Sequence, residues 1–390
     1  MMEMRYVELN EICDVRDGTH DSPKYVQEGF PLVTSKNIID GKLDLSTVNY
    51  LTQKDYDKIN ERSKVDRGDI IMPMIGTIGN PLLIGDFYKF AIKNVALIKF
   101  PNKNISNRYI WYFLKSDAFN KYVAEKNRGG TQKFLSLNDI RRMKVPYISY
   151  FEQISVVEKL DMVYKVIMQR IKELQLLDDL IKARFVEMFG DPVDNQMGWK
   201  KKQLQEIVTD DCTISYGIVQ TGDNQKEGIP VIRPVDIVNR VPKLKELKKT
   251  TEEISNKYKK TILKGREMLI TVRANIADTC VVDEKFKGCN VGRGIVPIRT
   301  KENIMILEFL KHLMDSKHLN DDIKNKAKGI TLIQLNMEDL REVELIIPPI
   351  EQQKLFVEFA NQVNKSKVVV QKALDETQIL FNSLMQQYFG

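Results

Sequence analysis

Asp236 followed by Glu246-Leu247-Lys248 has the spacing of a carboxylate and an E-x-K triplet, the pattern with which metal-dependent nucleases hold a divalent ion. Lysines crowd the same stretch, so a solvated face is the plainer reading, and the matching region of the first half of the chain carries no such triplet. Other reactive residues are no better placed. Cys13, Cys212, Cys280 and Cys289 show neither a C-x-x-C spacing nor paired histidines nearby, which fits scattered reduced thiols in a cytosolic protein and no metal site. His312 and His318, six apart on one expected helix, read as surface residues on different faces. The Asn/Asp-Pro-Pro-aromatic motif that holds a target amine in adenine methyltransferases does not occur, and Asn80-Pro81-Leu82 reads as a turn. There is no Walker loop either. The residues therefore predict no catalytic site, no metal and no cofactor bound by this chain.

What the polar loops do offer is donors and acceptors of the kind that read base edges, with cations for phosphates. His20 stands out, because it lies in a polar loop with Asp17, Thr19 and Lys24. By loop position, the candidate DNA-contacting residues are Thr19, His20, Lys24, Tyr25, Lys36, Asn37 and Thr77 in the first half. In the second half they are Tyr216, Gln220, Thr221, Arg233, Arg273, Asn275 and Arg293.

The charge is placed to suit a polyanion. The net +7 comes from residues 1–150, with 23 Lys/Arg against 18 Asp/Glu, and from residues 191–350, with 27 against 24. Residues 151–190 hold six against seven and residues 351–390 four against four. Two basic segments are thus separated by neutral ones, an arrangement that favours two anion-facing sites held apart by a spacer. A hydrophobic content of 43% with 29% charged residues is that of an ordinary globular protein. No apolar run approaches the roughly 18 residues of a membrane span, and MMEMRYVELNEICDV does not read as a secretory leader.

The neutral segments are the elements that would position those loops. From Tyr150 to Gly190, Val157, Leu160, Tyr164, Ile167, Ile171, Leu174, Ile181, Phe185 and Met188 recur at steps of three and four, unbroken by proline or glycine until the final residue. Asp178 is the one polar member of this seam, where coiled coils place a residue that fixes register. A shift of 200 positions lays Leu135 on Leu335, Asp139 on Asp339, Arg141 on Arg341, Gln153 on Gln353, Val157 on Val357 and Phe189 on Phe389. The second copy of the helix has a broader apolar face made of Phe356, Phe359, Val363, Val370, Leu374, Leu380, Phe381 and Leu384. Two helices with complementary seams in one chain predict a helix–helix interface.

Each helix follows a globule. In residues 1–150, strand-like runs such as FPLVTSKNII, DIIMPMIG and FAIKNVALIKF alternate with turns. Ser106 caps an expected helix over RYIWYFLKSDAFNKYVAEKN, and Ser136 with Asp139 opens a short one. The second globule repeats the order: IPVIRPVDI parallels FPLVTSKNI, LKGREMLI parallels VDRGDIIM, and Asn290-Val291 parallels Asn94-Val95. The loops differ, with RDGTHDSPKY facing ISYGIVQTGDNQ and MIGTIGN facing VRANIAD. One scaffold carrying two sets of loops is what two readers of different ligands would look like.

On the DGTHDSPKY stretch, the GTIGN turn, the Asn94-Val95-Ala96-Leu97-Ile98 strand, the GGTQKFLS segment and the proline-then-EQ approach to each long helix, the chain resembles the specificity subunit of Type I restriction-modification systems. Its departures are Gly329-Ile330-Thr331 where the first copy has Gly129-Gly130-Thr131, and Pro348-Pro349 where the first copy has Pro146 alone. The resemblance implies an α+β protein: two similar mixed α/β target recognition domains, 1–150 and 191–350, joined by long antiparallel coiled-coil helices, 151–190 and 351–390, with pseudo-two-fold symmetry. It implies that each domain reads half of a bipartite, asymmetric site in double-stranded DNA and that the helices set the spacer. It implies docking of two modification (methyltransferase) subunits, which direct adenine N6 methylation, and recruitment of restriction subunits. S-adenosylmethionine is then expected in the modification partner, and ATP and magnesium in the restriction partner. A cytoplasmic location and no membrane partner follow. The competing readings are a metal-dependent endonuclease and a DNA-independent coiled-coil scaffold.

Overall fold

The computed structural model describes residues 5–39, 41–76, 78–85, 89–126, 134–237, 242–329 and 333–390. The chain divides into two compact units, one of Met1–Ile171 with Gln371–Gly390, the other of Lys172–Val370. Each unit holds one α+β globule and a stretch of both long helices.

In the first unit, β1 (Arg5–Glu8) runs into the short α1 (Leu9–Ile12), whose start is closed reciprocally by Glu8 and Glu11. β2 (Asp14–Asp17), β3 (Phe30–Val33), β4 (Ile38–Ile39), β5 (Lys42–Leu43), β6 (Asn49–Leu51) and α2 (Gln53–Ser63) follow. β7 (Ile70–Pro73), β8 (Leu82–Leu83), β9 (Ala91–Ile92) and β10 (Val95–Lys99) complete the strands of the main sheets. One sheet has the order β2-β10-β7-β8; in another, β3 lies between antiparallel β6 and parallel β9. β7 and almost all of β10 are buried on both faces, which is why they read as continuous apolar runs. Then come α3 (Asn107–Phe113), α4 (Asp117–Lys126), α5 (Leu137–Arg142) and β11 (Lys144–Tyr147), which returns to pair with β1. The one helix expected over 108–127 is, among the described residues, two. Ser116 divides it: its hydroxyl donates to the Phe113 carbonyl at 2.7 Å and accepts the Phe119 N–H at 3.3 Å, closing α3 and opening α4. Ser136 and Asp139 do form the reciprocal cap of α5. The long α6 (Tyr150–Phe189) comes next.

The second unit runs β12 (Lys201–Gln203), α7 (Leu204–Ile207), β13 (Ile229–Ile232), β14 (Lys248–Thr250), α8 (Glu252–Asn256), β15 (Glu267–Thr271) and β16 (Thr279–Val282). It continues with β17 (Asn290–Val291), β18 (Ile295–Ile298), α9 (Leu307–Met314), α10 (Lys317–Asn325), α11 (Met337–Arg341), β19 (Glu344–Ile346) and α12 (Ile350–Phe389). The pairings repeat those of the first unit: β13 between antiparallel β14 and parallel β17, β15 against β18, and β12 with β19. One expected match is corrected by the register. Leu32 pairs with Ala91 and Val231 with Asn290, so Asn290-Val291 corresponds to Ala91-Ile92. Asn94 instead occupies the turn after that strand.

Both long helices are 40 residues, and α12 starts in phase with α6 despite Pro348-Pro349, since a proline at a helix start lacks only an N–H that would have no helical partner. Within the second unit, Phe189 and Phe185 meet Phe356 edge-on at 5.7 and 5.4 Å, and Asp178 pairs with Lys367. Partners on α12 advance as α6 is followed backward, so the two run antiparallel there. The seam aspartate is thus held by a lysine of the other helix. Within the first unit, the Tyr164 ring meets that of Phe381 at a tilt, 6.0 Å between centres, and Val157 and Leu160 share a core with Leu384, Met385 and Phe389, again antiparallel.

The expected seam is not uniform. Val157, Leu160, Ile167, Ile181, Phe185, Phe356, Val363 and Val370 are buried, and Tyr164, Leu174, Phe359, Leu374 and Leu384 are half-buried. Ile171 is 46% exposed and Leu380 51% exposed, contrary to expectation. Two heptads separate Ile171 from Val157, and a straight helix drifts about 20° per heptad away from a fixed seam. Toward their ends the helices are covered by globule aromatics such as Tyr112 and Phe309 as well as by each other.

Candidate DNA-reading surface

In the first unit the loop after β2 is pinned to the β9–β10 turn. Gly18 donates its N–H to the Val95 carbonyl and Thr19 to that of Ile92, both at 3.0 Å. A Cβ at Gly18 would lie 2.3 Å from the Ile92 oxygen, so only glycine allows this approach. Asn94 makes the turn with φ 55. The loop then folds back on itself through His20. One ring nitrogen lies 2.8 Å from an Asp17 carboxylate oxygen and the other 2.8 Å from the Asn94 side-chain oxygen, while Arg62 of α2 pairs with the second Asp17 oxygen. Acceptors at both ring nitrogens suit the imidazolium, and the bond to Asp17, then that to Asn94, raise the His20 pKa above its ordinary value. Lys93 donates to the Ser22 hydroxyl at 2.7 Å. Residues 17–23 and α2 enclose an open cavity of about 390 Å³ with Lys58 and Arg62 on its wall.

The second unit uses the same pin with other chemistry. A Cβ at Gly217 would lie 1.8 Å from the Val291 oxygen, and Ile218 donates to that carbonyl at 2.8 Å. The following turn, Gly292-Arg293-Gly294, carries Arg293 with its guanidinium carbon 5.9 Å from the Tyr216 ring centre. Gly294 packs where a Cβ would be 2.5 Å from Pro234 and 3.4 Å from Arg273, so Arg233, Arg273 and Arg293 stand on neighbouring segments. Arg233 grips Asp236 through two bonds of 3.1 Å, and Arg273 donates to Gln334. Ala274 and Ala277 take φ values of 60 and 65, where the first unit has Gly76 and Gly79 at 79 and 89. Ala274 is exposed and Ala277 buried, and backbone strain of this kind clusters at functional segments.

The remaining candidates divide. Lys24, Tyr25, Lys36, Gln220 and Asn275 are exposed, and Thr19 and Thr221 half-buried. Asn37 is 3% exposed, its oxygen accepting from the Thr34 N–H and hydroxyl at 2.9 Å and its amide donating to the Asp44 carbonyl, so it builds its turn and offers no edge outward. Thr77, like Gly129-Gly130-Thr131 and Ile330-Thr331, lies outside the described residues. Reading by loop position missed Asp17, Arg62, Lys93 and Asn94. Asp17 and Arg62 are 45 residues apart, and no local pattern joins them.

The nuclease pattern does not assemble. Asp236 sits on the 3-10 turn Pro234–Asp236, not on a strand, and is bound by Arg233; Glu246 accepts from Lys243 at 3.0 Å; Lys248 donates to the Gly222 carbonyl at 2.6 Å. Among the described residues no three His, Cys, Asp or Glu side chains gather as a metal site. Of the histidines, His318 is exposed as expected, while the surface reading of His312 and the single helix for both are corrected. His312 on α9 lies edge-on to Phe356 at 5.2 Å, where burial brings its pKa down to about 4, and His318 is on a separate helix, α10, 2.5 Å from Asp191. All four cysteines are buried and free, and burial pushes Cys13 and Cys280 up to about 12 and Cys289 to about 11, which keeps them protonated and unreactive. No helix among the described residues is long and apolar enough to cross a membrane.

Two copies of one α+β frame, each presenting different polar side chains on a pinned loop, define a two-part recognition protein. Residues 1–176 and 196–376 match the family model of the Type I restriction modification DNA specificity domain. The chain is 21% identical over 383 residues to the Type I restriction enzyme EcoBI specificity subunit of Escherichia coli, covering 92% of this chain and 78% of that one. It is 23% identical over 371 residues to the putative type I restriction enzyme MjaX specificity subunit of Methanocaldococcus jannaschii, covering 89% and 83%. The solved S subunit from M. genitalium aligns with TM-score 0.55 and 11% identity over 100% of this chain and 97% of that one. A chain from a study of complex assembly and conformational transition in the type I R-M system gives 0.56 and 19%, over 100% and 98%; both likenesses concern the fold. The chain belongs to the family of Type I restriction-modification specificity subunits. It is a non-catalytic subunit for DNA sequence recognition that works in a complex with other restriction-modification subunits, and the endonuclease reading of Asp236, Glu246 and Lys248 is set aside.

Proposed function

We propose that the globules of residues 1–150 and 191–350 each read one half of a bipartite, asymmetric site in double-stranded DNA. The observation that carries this is the shared pin at Gly18 and Gly217 with different groups mounted on it: Asp17, His20 and Asn94 in one, Tyr216 and Arg293 in the other. Different donors and acceptors on one frame give different base readouts. Thr19, His20, Lys24, Tyr25 and Lys36 then face the first half-site, and Tyr216, Gln220, Thr221, Arg233, Arg273, Asn275 and Arg293 the second.

The helices 151–190 and 351–390 set the distance between half-sites and dock two modification subunits, through which restriction subunits join. Adenine N6 methylation uses S-adenosylmethionine bound by the modification partner, and cleavage uses ATP and magnesium in the restriction partner, all in the cytoplasm. The test is to express the chain with its modification partner in a host free of adenine methylation and sequence the methylated adenines. Two unlike half-sites separated by a fixed unread spacer are expected; a contiguous motif overturns the reading.

A further inference from the structure

We infer that Arg293 is the guanine reader of the second half-site, on the condition that the two-reader function above holds. Its backbone is held on every side. Gly292 donates to the Ile232 carbonyl at 2.8 Å, Ile295 donates back to the Gly292 carbonyl at 3.0 Å, and Val272 donates to the Gly294 carbonyl at 2.8 Å. Arg293 is exposed at the tip of this tied turn, between two buried glycines. Its guanidinium carbon lies 5.9 Å from the Tyr216 ring centre, within cation–π range, a contact that arginine makes without using its donor edge.

The neighbouring arginines differ. Arg233 is engaged by Asp236 and Arg273 by Gln334, whereas among the described residues no carboxylate pairs with Arg293. A guanidinium on a turn whose backbone is tied, with no carboxylate partner among the described residues, can present two parallel N–H groups to O6 and N7 of guanine in the major groove, and no other base offers that pair of acceptors. The matching turn of the first unit carries Asn94, already engaged by His20, so the same readout is not available there. Arg293 therefore fixes one G·C pair in the second half-site only, while Arg233 and Arg273 hold the surface around it.

The test uses the complex of this chain with its modification partner. Once the wild-type motif is known, duplexes carrying 7-deazaguanine, which lacks the N7 acceptor, at each guanine of the second half-site are titrated against wild-type and R293A complexes. One position is expected to weaken wild-type binding roughly 2- to 13-fold, the loss of one of the two bonds of a bidentate contact since O6 remains, and to have no further effect on R293A. In methylation mapping, R293A accepts other bases at that same position and keeps the first half-site unchanged. If no 7-deazaguanine position weakens the wild type, or the second half-site has no G·C pair, the assignment is wrong and the two-reader function still stands. If R293A alters both half-sites together, or the wild type shows no bipartite motif, the two-reader function itself fails. Should R293A not assemble, R293Q, which keeps a polar side chain of similar length at the turn, takes its place in the same titration and mapping.

Discussion

Gln153 and Gln353, 200 residues apart, make the same two bonds. The side-chain oxygen of Gln153 accepts the Ser106 N–H and that of Gln353 the Ile306 N–H, each at 2.9 Å, at the starts of α3 and α9. The amide of each donates to a carbonyl five residues back, Ile148 at 3.0 Å and Pro348 at 2.8 Å. Both glutamines are buried, and each ties its long helix to the globule that precedes it. Replacing either by leucine leaves a buried N–H unmatched, so Q153L and Q353L should each cost about 1–3 kcal/mol. Urea unfolding measures this, with hydrogen exchange accelerating at Ser106 in one variant and Ile306 in the other.

A second matched pair lies in the sheets. Lys99 meets Asp69 at 2.5 Å in the first unit and Arg299 meets Glu267 at 3.1 Å in the second. Glu267 is fully buried, so R299M strands a carboxylate and should destabilise the second unit by about 3–5 kcal/mol. The double variant E267M/R299M should recover most of that loss, since an apolar pair of similar volume often replaces a buried ion pair at little cost. Thermal melts of the two variants side by side make the comparison.

The His20 clamp should be sensitive to pH. Its folded pKa is raised, first by Asp17 and then by Asn94, so the stabilisation it lends the loop is complete below its ordinary value near 6.5 and is lost as pH rises through the raised value. Exchange at residues 17–22 should be better protected at pH 6 than at pH 8, beyond the intrinsic rate change. H20Q, which cannot titrate, should remove that difference.

Replacing residues 191–340 by the equivalent segment of a relative should change one half-site and leave the other. Methylated-adenine sequencing of the hybrid reads this directly. A simultaneous change in both would mean that the globules do not read independently.

Forty helical residues span roughly 60 Å, enough to hold two readers more than one DNA turn of ~34 Å apart. Inserting four residues into the middle of each long helix adds roughly 6 Å, about two base pairs, and turns the helix by a net ~40° against ~70° for the DNA. Inserting seven residues turns it by about −20° against ~100°. The four-residue variant should therefore stay active with a spacer longer by one or two base pairs, and the seven-residue variant should be much weaker. An unchanged spacer in the first would show that the helices do not set it.

The long helices, the duplication and the Ser106 and Ser136 caps were legible in the sequence because each rests on local rules: a 3.6-residue period, a constant offset, and a side chain reaching a backbone N–H three residues away. The loops proposed to carry recognition were legible as loops. Which of their residues face outward was not, because that is decided by partners far along the chain. His20 is held by Asn94 from 74 residues away, and Arg62 reaches Asp17 across 45, whereas Asn37 turns inward within its own turn, on Thr34 and Asp44. The pairing that sets Asn290 level with Ala91 rather than with Asn94 likewise depends on strand contacts that no single window contains. Arg293 could be picked out as a cation in a glycine-rich turn. Only the folded chain sets it beside Tyr216, because the two are 77 residues apart and meet through the close approach that Gly217 permits.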